Sequence, residues 1–222
     1  MATVLVIAPH PDDEVLGAGG FIRKSHEQGD RVVVLTVSGH LPPLYDRAAY
    51  DTTVAEAKKA HEILGVDEAR FLEVPATLVA NEPTSSLNGR IHEVVREFEP
   101  SVVLCPYPDR HVDHRVIFDS AMVATRPVGP AGTGIKMVAA YETLSETHWN
   151  APHIEPNFTP TWVVDVTDQI DAKLAALGCF ESQVPEFPHP RSVEAARALA
   201  MFRGTQAGFG YGEGYHVIRM CS

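Results

Sequence analysis

The chain has 222 residues, 45% of them hydrophobic, enough to bury a large core without disulfide or metal staples. Eighteen Lys and Arg against 29 Asp and Glu leave a net charge of −11, which argues against nucleic acid or an anionic membrane as the main partner, since both need basic patches. Three cysteines (Cys105, Cys179, Cys221) form an odd set without CxxC spacing, so neither a disulfide framework nor a thiolate zinc site is expected.

The opening "MATVLVIAPH" lacks the basic region and length of a signal peptide, and no segment approaches the roughly 20 apolar residues of a membrane span. A soluble cytoplasmic protein is the expectation. Residues 3–8, "TVLVIA", form a continuous apolar run of the kind found in a strand covered on both faces. Val15, Ala18, Gly19 and Ile22 then recur at helical spacing until "QGD" at 28–30. "RVVVLTV" (31–37) reads as a second strand, 38–50 as a Gly/Pro-bearing loop, and 51–65 as a helix closed by Gly65. A weaker strand follows at 69–74. Leu87, Ile91, Val94 and Phe98 mark a helix stopped by Pro100, and "SVVLCP" (101–106) is a fourth strand. Beyond it come strands at 137–141 and 161–166 and helices at 168–181 and 192–203. The connection 142–160 has no periodicity and is long enough to line a site or move. "FGYGEGYHV" (209–217) reads as a hinge or an edge strand, with Glu213 a candidate for the pocket rim. With no domain boundary in view, one domain over 1–222 is expected. Its class is α/β, a Rossmann-like three-layer fold with a mostly parallel sheet and helices on both faces.

Two clusters carry chemistry. His10-Pro-Asp12-Asp13-Glu14 follows the first strand, and Asp109-Arg110-His111-Val-Asp113-His114 follows the fourth. In a doubly wound sheet of order 3-2-1-4-5 the connections of strands 1 and 4 leave in opposite directions, opening a ligand crevice at their carboxyl ends. Two segments about 100 residues apart would then face one another. Histidine and aspartate are nitrogen and oxygen donors suited to zinc, and iron(II) or cobalt(II) would fit the same ligands. Helix capping would account for one or two of the acids but not for His10 or the second cluster. "GAGG" (17–20) lacks GxGxxG spacing and follows three carboxylates, so close helix–sheet packing suits it better than a phosphate.

"APHPDDE" paired with "RHVDH" resembles the PIG-L/LmbE-like family of zinc-dependent N-acetylglucosaminyl deacetylases, with Pro9 inserted into the usual AHPDDE. "AEAKKAHEILGV", "FESQ" and "YGEGY" look similar as well. The resemblance implies that His10, Asp13 and His114 bind zinc and that Asp12 is the general base. It also implies that His111 stabilises the oxyanion, that Asp113 orients a histidine, and that Glu14 supports by hydrogen bonding. The implied reaction is removal of acetyl from an N-acetyl amino sugar or its conjugate, which would be the small-molecule partner. Cleavage of a larger sugar conjugate and a non-catalytic sugar-binding module are the alternatives, and a homo-oligomer is compatible with either. Many members carry an arginine where this chain has Thr53; Arg47 is a candidate substitute. Arg110, His40 and His153 are further candidates for substrate contact, with Tyr107 and Trp149 for stacking. His26, His61 and His92 read as structural or solvated.

Overall fold

A computed structural model describes residues 1–151 and 153–222. In chain order the elements are β1 (Thr3–Ala8), α1 (Asp13–Glu27), β2 (Arg31–Gly39), α2 (Arg47–Leu64), β3 (Glu68–Pro75), α3 (Thr84–Phe98), β4 (Val102–Pro106), α4 (Val112–Ala124), α5 (Gly129–Gly134), β5 (Met137–Tyr141), β6 (Trp162–Asp165), α6 (Ile170–Leu177), α7 (Val193–Ala207) and β7 (Gly212–Met220). All seven strands share one sheet, ordered β3-β2-β1-β4-β5-β7-β6. The first five run parallel, and β7 lies antiparallel between β5 and β6.

Period-2 alternation in the strands divides the core in two. Val4, Val6, Val32 and Val34 meet α1, α2, α6 and α7 through Val15, Ile22, Ala57, Leu64, Leu174 and Ala200. Leu5, Ile7, Val33 and Leu35 point the other way, onto α3 and α4 through Ile91, Val95, Phe98, Ile117 and Ala121. Helices thus cover both faces, which is why β1 and β2 read as unbroken apolar runs. The three-layer α/β expectation is borne out. No helix among the described residues is long and apolar enough to cross a membrane.

Several boundaries differ from the sequence reading. Helix α2 begins at Arg47 rather than 51, because the Asp46 carboxylate accepts from Ala49 N at 2.8 Å and caps the helix inside what read as a loop. The helix read at 168–181 is a 3₁₀ turn over Thr167–Gln169 followed by α6. The 209–217 segment is neither hinge nor edge: β7 is an internal strand. Glu213 is correspondingly not on a rim. Its buried carboxylate accepts from Gly20 N and Phe21 N (both 2.8 Å), Lys173 Nζ (2.6 Å) and Tyr215 Oη (2.8 Å), tying α1 and α6 to β7.

Helix α1 approaches the sheet closely enough that a Cβ on Gly17 would lie 2.1 Å from Tyr141 Cδ2. Tyr141 is fully buried and its hydroxyl donates to Ile7 O at 2.8 Å, so the ring cannot swing aside. Gly17→Ala should therefore lower stability by about 1–3 kcal/mol despite alanine's better helix propensity, read from the urea midpoint. An unchanged midpoint would mean that this contact is not tight.

A candidate metal centre and cleft at the carboxyl ends of β1 and β4

The chain leaves β1 through Pro9, whose carbonyl accepts from Ser38 N (2.8 Å) and Ser38 Oγ (3.0 Å), and turns sharply at Asp12. Asp12 has φ 122° and ψ −29°, a backbone conformation that a non-glycine residue adopts only under constraint. Glu14 supplies part of that constraint. One of its carboxylate oxygens accepts from Asp12 N (3.2 Å) and the other lies 2.9 Å from His61 Nε2, so His61 is a buried support. The turn directs the Asp12 and Asp13 carboxylates inward, each residue 1% exposed.

Across the crevice, His111 caps α4 and sends Asp113 and His114 from its first turn toward the same point. Each imidazole that could bind metal has one nitrogen held from behind. His10 Nε2 is 3.0 Å from Asp113 Oδ2, which also accepts from Thr77 N at 2.7 Å. His114 Nδ1 is 3.1 Å from Asp109 Oδ2, itself an acceptor from Thr147 Oγ1 at 2.8 Å. Imidazoles donating backward into these carboxylates turn lone pairs forward, from His10 Nδ1 and His114 Nε2. Those two atoms stand 3.1 and 3.3 Å from Asp13 Oδ2. His114 Nε2 is buried without a hydrogen-bond partner. Three electron pairs aimed at one point repel unless a proton or a metal cation lies between them.

The electrostatics agree. Burial alone would lower the His10 pKa, but hydrogen bonds to Asp113 and Asp13 outweigh it and raise it to about 9. His114 rises to about 10, with burial again opposed and outweighed by Asp13 and Asp109. Burial acts against ionisation of Asp13 also, yet His114 and His10 hold it well below the ordinary carboxylate range. The pocket thus draws positive charge, and the donor set fits a divalent transition ion. A second triplet, His10, His111 and Asp113, is also close enough to share an ion. The first is the better cradle, because two of its three members are buried and His114 Nε2 has no other partner, whereas His111 Nδ1 already accepts from Asp113 N at 3.2 Å.

That last bond leaves the proton of a neutral His111 on Nε2. Burial, then the charges of His10 and His114, lower its pKa and keep it neutral. Asp12 is pushed up to about 8 by burial and by Asp13, against the opposing pull of Arg191. Asp12, the His111 N–H donor and His10 of the cation cradle therefore share one cleft of about 90 Å3, lined also by His40, Tyr45, Thr53, Thr77, Gln183 and Arg191.

Of the expected substrate contacts, the structure brings only His40 to this cleft, its ring 4.3 Å from that of Tyr45 and its pKa lowered by burial. Arg47 is not there: it points outward and pairs with Asp51 (3.0 Å) and Glu73 (2.9 Å). Arg110 does not line the cleft; it lies 3.0 Å from Glu146 and over the Trp149 ring. His153 is exposed and does not line the cavity. Thr53 does line it, and the guanidinium that enters is Arg191, from the turn before α7. The sequence reading missed Arg191. The cue was "HPRS", an arginine directly before the Ser192 cap of α7, but nothing in the pattern says which edge of the sheet that turn overhangs.

Comparison with known proteins identifies the family and its fold. The family of GlcNAc-PI de-N-acetylases (PIG-L) matches residues 5–125. A diacetylchitobiose deacetylase of Thermococcus kodakarensis is 29% identical, covering 97% of this chain and 82% of its own. The solved N,N'-diacetylchitobiose deacetylase of Pyrococcus horikoshii superposes with a TM-score of 0.78 at 25% identity, over 98% of this chain and 84% of that one. GalB, the 4-carboxy-2-hydroxymuconate hydratase of Pseudomonas putida, gives 0.79 at 23% identity over 98% and 96%, a likeness of fold alone.

If Asp109 holds His114 in the metal-binding tautomer, Asp109→Asn should keep the fold and weaken zinc affinity by about 10–100-fold. Competition against a chromophoric chelator measures this. Wild-type affinity in the variant would remove Asp109 from the metal's support.

Proposed function

The chain belongs to the PIG-L family of GlcNAc-PI de-N-acetylases, and from that premise we propose that it is a metal-dependent N-deacetylase of an N-acetyl amino sugar or its conjugate, yielding acetate and a free amine. The observation that carries this reading is the convergence of His10 Nδ1, Asp13 Oδ2 and His114 Nε2 beside the buried Asp12. In this reading the three residues hold zinc, with iron(II) or cobalt(II) as alternatives, which polarises the amide carbonyl and acidifies water.

The chain's own groups do the rest. In its ionised form Asp12 takes a proton from the water that attacks the acyl carbon, with burial and Asp13 raising its basicity. Its constrained backbone and the Glu14 bond hold it at that position. His111 donates its Nε2–H to the carbonyl oxygen as that atom becomes negative. When the C–N bond breaks, Asp12 returns the proton to the departing nitrogen. Asp113 keeps His10 oriented, as Asp109 does His114. A cavity of about 90 Å3 is far smaller than the roughly 300–1,000 Å3 of sites that enclose a drug-sized ligand. It encloses the acetamide end and leaves the sugar at the mouth. We assign the activity to one domain spanning 1–222. The cytoplasm is the proposed compartment, in keeping with three unpaired cysteines.

A panel of N-acetyl sugars scored for released primary amine, with and without a chelator, tests the reaction. Asp12→Asn should retain bound metal while kcat falls by about 10²–10⁴-fold. Turnover at the wild-type rate would show that another group is the base, and chelator-resistant turnover would sink the metal-dependent reading.

A further inference from the structure

Arg191 stands in the cleft wall with an unusual degree of support for a residue on a turn. Its Nε donates to Ser145 Oγ (3.1 Å), its Nη2 to Glu146 Oε1 (2.9 Å), and its Nη1 to Asp12 Oδ2 (3.4 Å). Ser145 has φ 74°, and its hydroxyl donates to Glu146 Oε1 at 3.2 Å, so the supporting loop is itself locked. Glu146 is buried, and its second oxygen is 3.0 Å from Arg110 Nη2. A guanidinium carries five N–H donors, and three are used here. Two remain without a partner among the described residues, on a side chain that lines the cavity.

Its charge, by contrast, is already answered. Asp12 and Glu146 flank it, and Asp13 is near enough to act on it. The neighbouring arginines are equally committed: Arg47 to Asp51 and Glu73, Arg110 to Glu146, and Arg115 to Glu155. Nor would the metal centre offer spare positive charge, because Asp12, Asp13, Asp109 and Asp113 outnumber the charges of a divalent ion. A phosphate or carboxylate entering the cleft would lose its hydration without gaining a counter-charge. A hydroxyl would lose little and gain a charge-assisted hydrogen bond.

Resting on the deacetylase reading, we propose that Arg191 grips hydroxyls of the bound sugar within the cleft and thereby makes the enzyme selective for uncharged N-acetyl amino sugars over those bearing a phosphate or carboxylate. The specificity lies in what the guanidinium has left over, which is directional donors without net charge.

Calorimetry on the zinc-loaded protein tests this with N,N'-diacetylchitobiose and N-acetylglucosamine 1-phosphate, since it reads binding whether or not the amide is cut. The neutral sugar should bind at least tenfold more tightly. Arg191→Lys and Arg191→Gln should each weaken it roughly 10- to 100-fold and raise KM more than they lower kcat, with zinc content unchanged. Glu146→Gln, which removes one of the carboxylates answering Arg191, should narrow the gap by improving phosphate binding. Equal or tighter binding of the phosphate by the wild type overturns the proposal, as does unchanged affinity for the neutral sugar in both Arg191 variants. The underlying reading fails separately, if the neutral sugar binds as stated but no primary amine is released.

Discussion

The site depends on two hydrogen bonds that contact no substrate. Asp113 behind His10 and Asp109 behind His114 take the imidazole N–H groups backward, and this alone sends both lone pairs toward Asp13. Reverse either tautomer and a proton occupies the place where a cation would bind. The carboxylates also raise the basicity of the rings they hold, strengthening them as donors. Because Asp113 is further held by Thr77 N and Asp109 by Thr147 Oγ1, the orientation reaches into the loops after β3 and β5.

The parallel sheet makes this convergence affordable. β1 and β4 are neighbours, and their exits diverge, one into α1 and the other into α4. Side chains from both strand ends therefore meet without any loop having to span the gap. Close packing of α1, with Gly17 against the Tyr141 ring, fixes where its N-terminal carboxylates stand relative to β5 and so relative to the second cluster. The strain at Asp12 is offset by Glu14 and by the embedding of the first turn, where each residue from Asp12 to Gly20 is buried.

The reach of the sequence reading follows from this geometry. Strands β1 to β4, their order, and the meeting of the two clusters were legible because each cluster directly follows a buried apolar strand, and the switch-point rule does the rest. β7 was read only as a hinge or an edge strand, since Gly212 and Gly214 break its alternation and hide its internal place in the sheet. The reason is packing: a Cβ at Gly212 would lie 2.9 Å from Gly204 N, and one at Gly214 3.1 Å from Glu142 Oε1. Arg191 was illegible for a different reason. A turn between helices has no periodicity, and only tertiary packing sets where it lands. Arg47 was drawn in as a substitute by its nearness in sequence to Thr53, whereas its actual partners are Asp51, one helical turn on, and Glu73 on β3.

The buried turn after β5 serves two masters. Thr147 steadies Asp109 behind the His114 imidazole, while Ser145 and Glu146, just before it in the chain, hold the Arg191 guanidinium in the cleft wall. Three consecutive residues thus join the support of the candidate metal cradle to the support of the cleft's guanidinium. A change in this stretch would disturb both at once, whereas the exposed 42–46 segment between β2 and α2 reaches the cleft lining through Tyr45 alone.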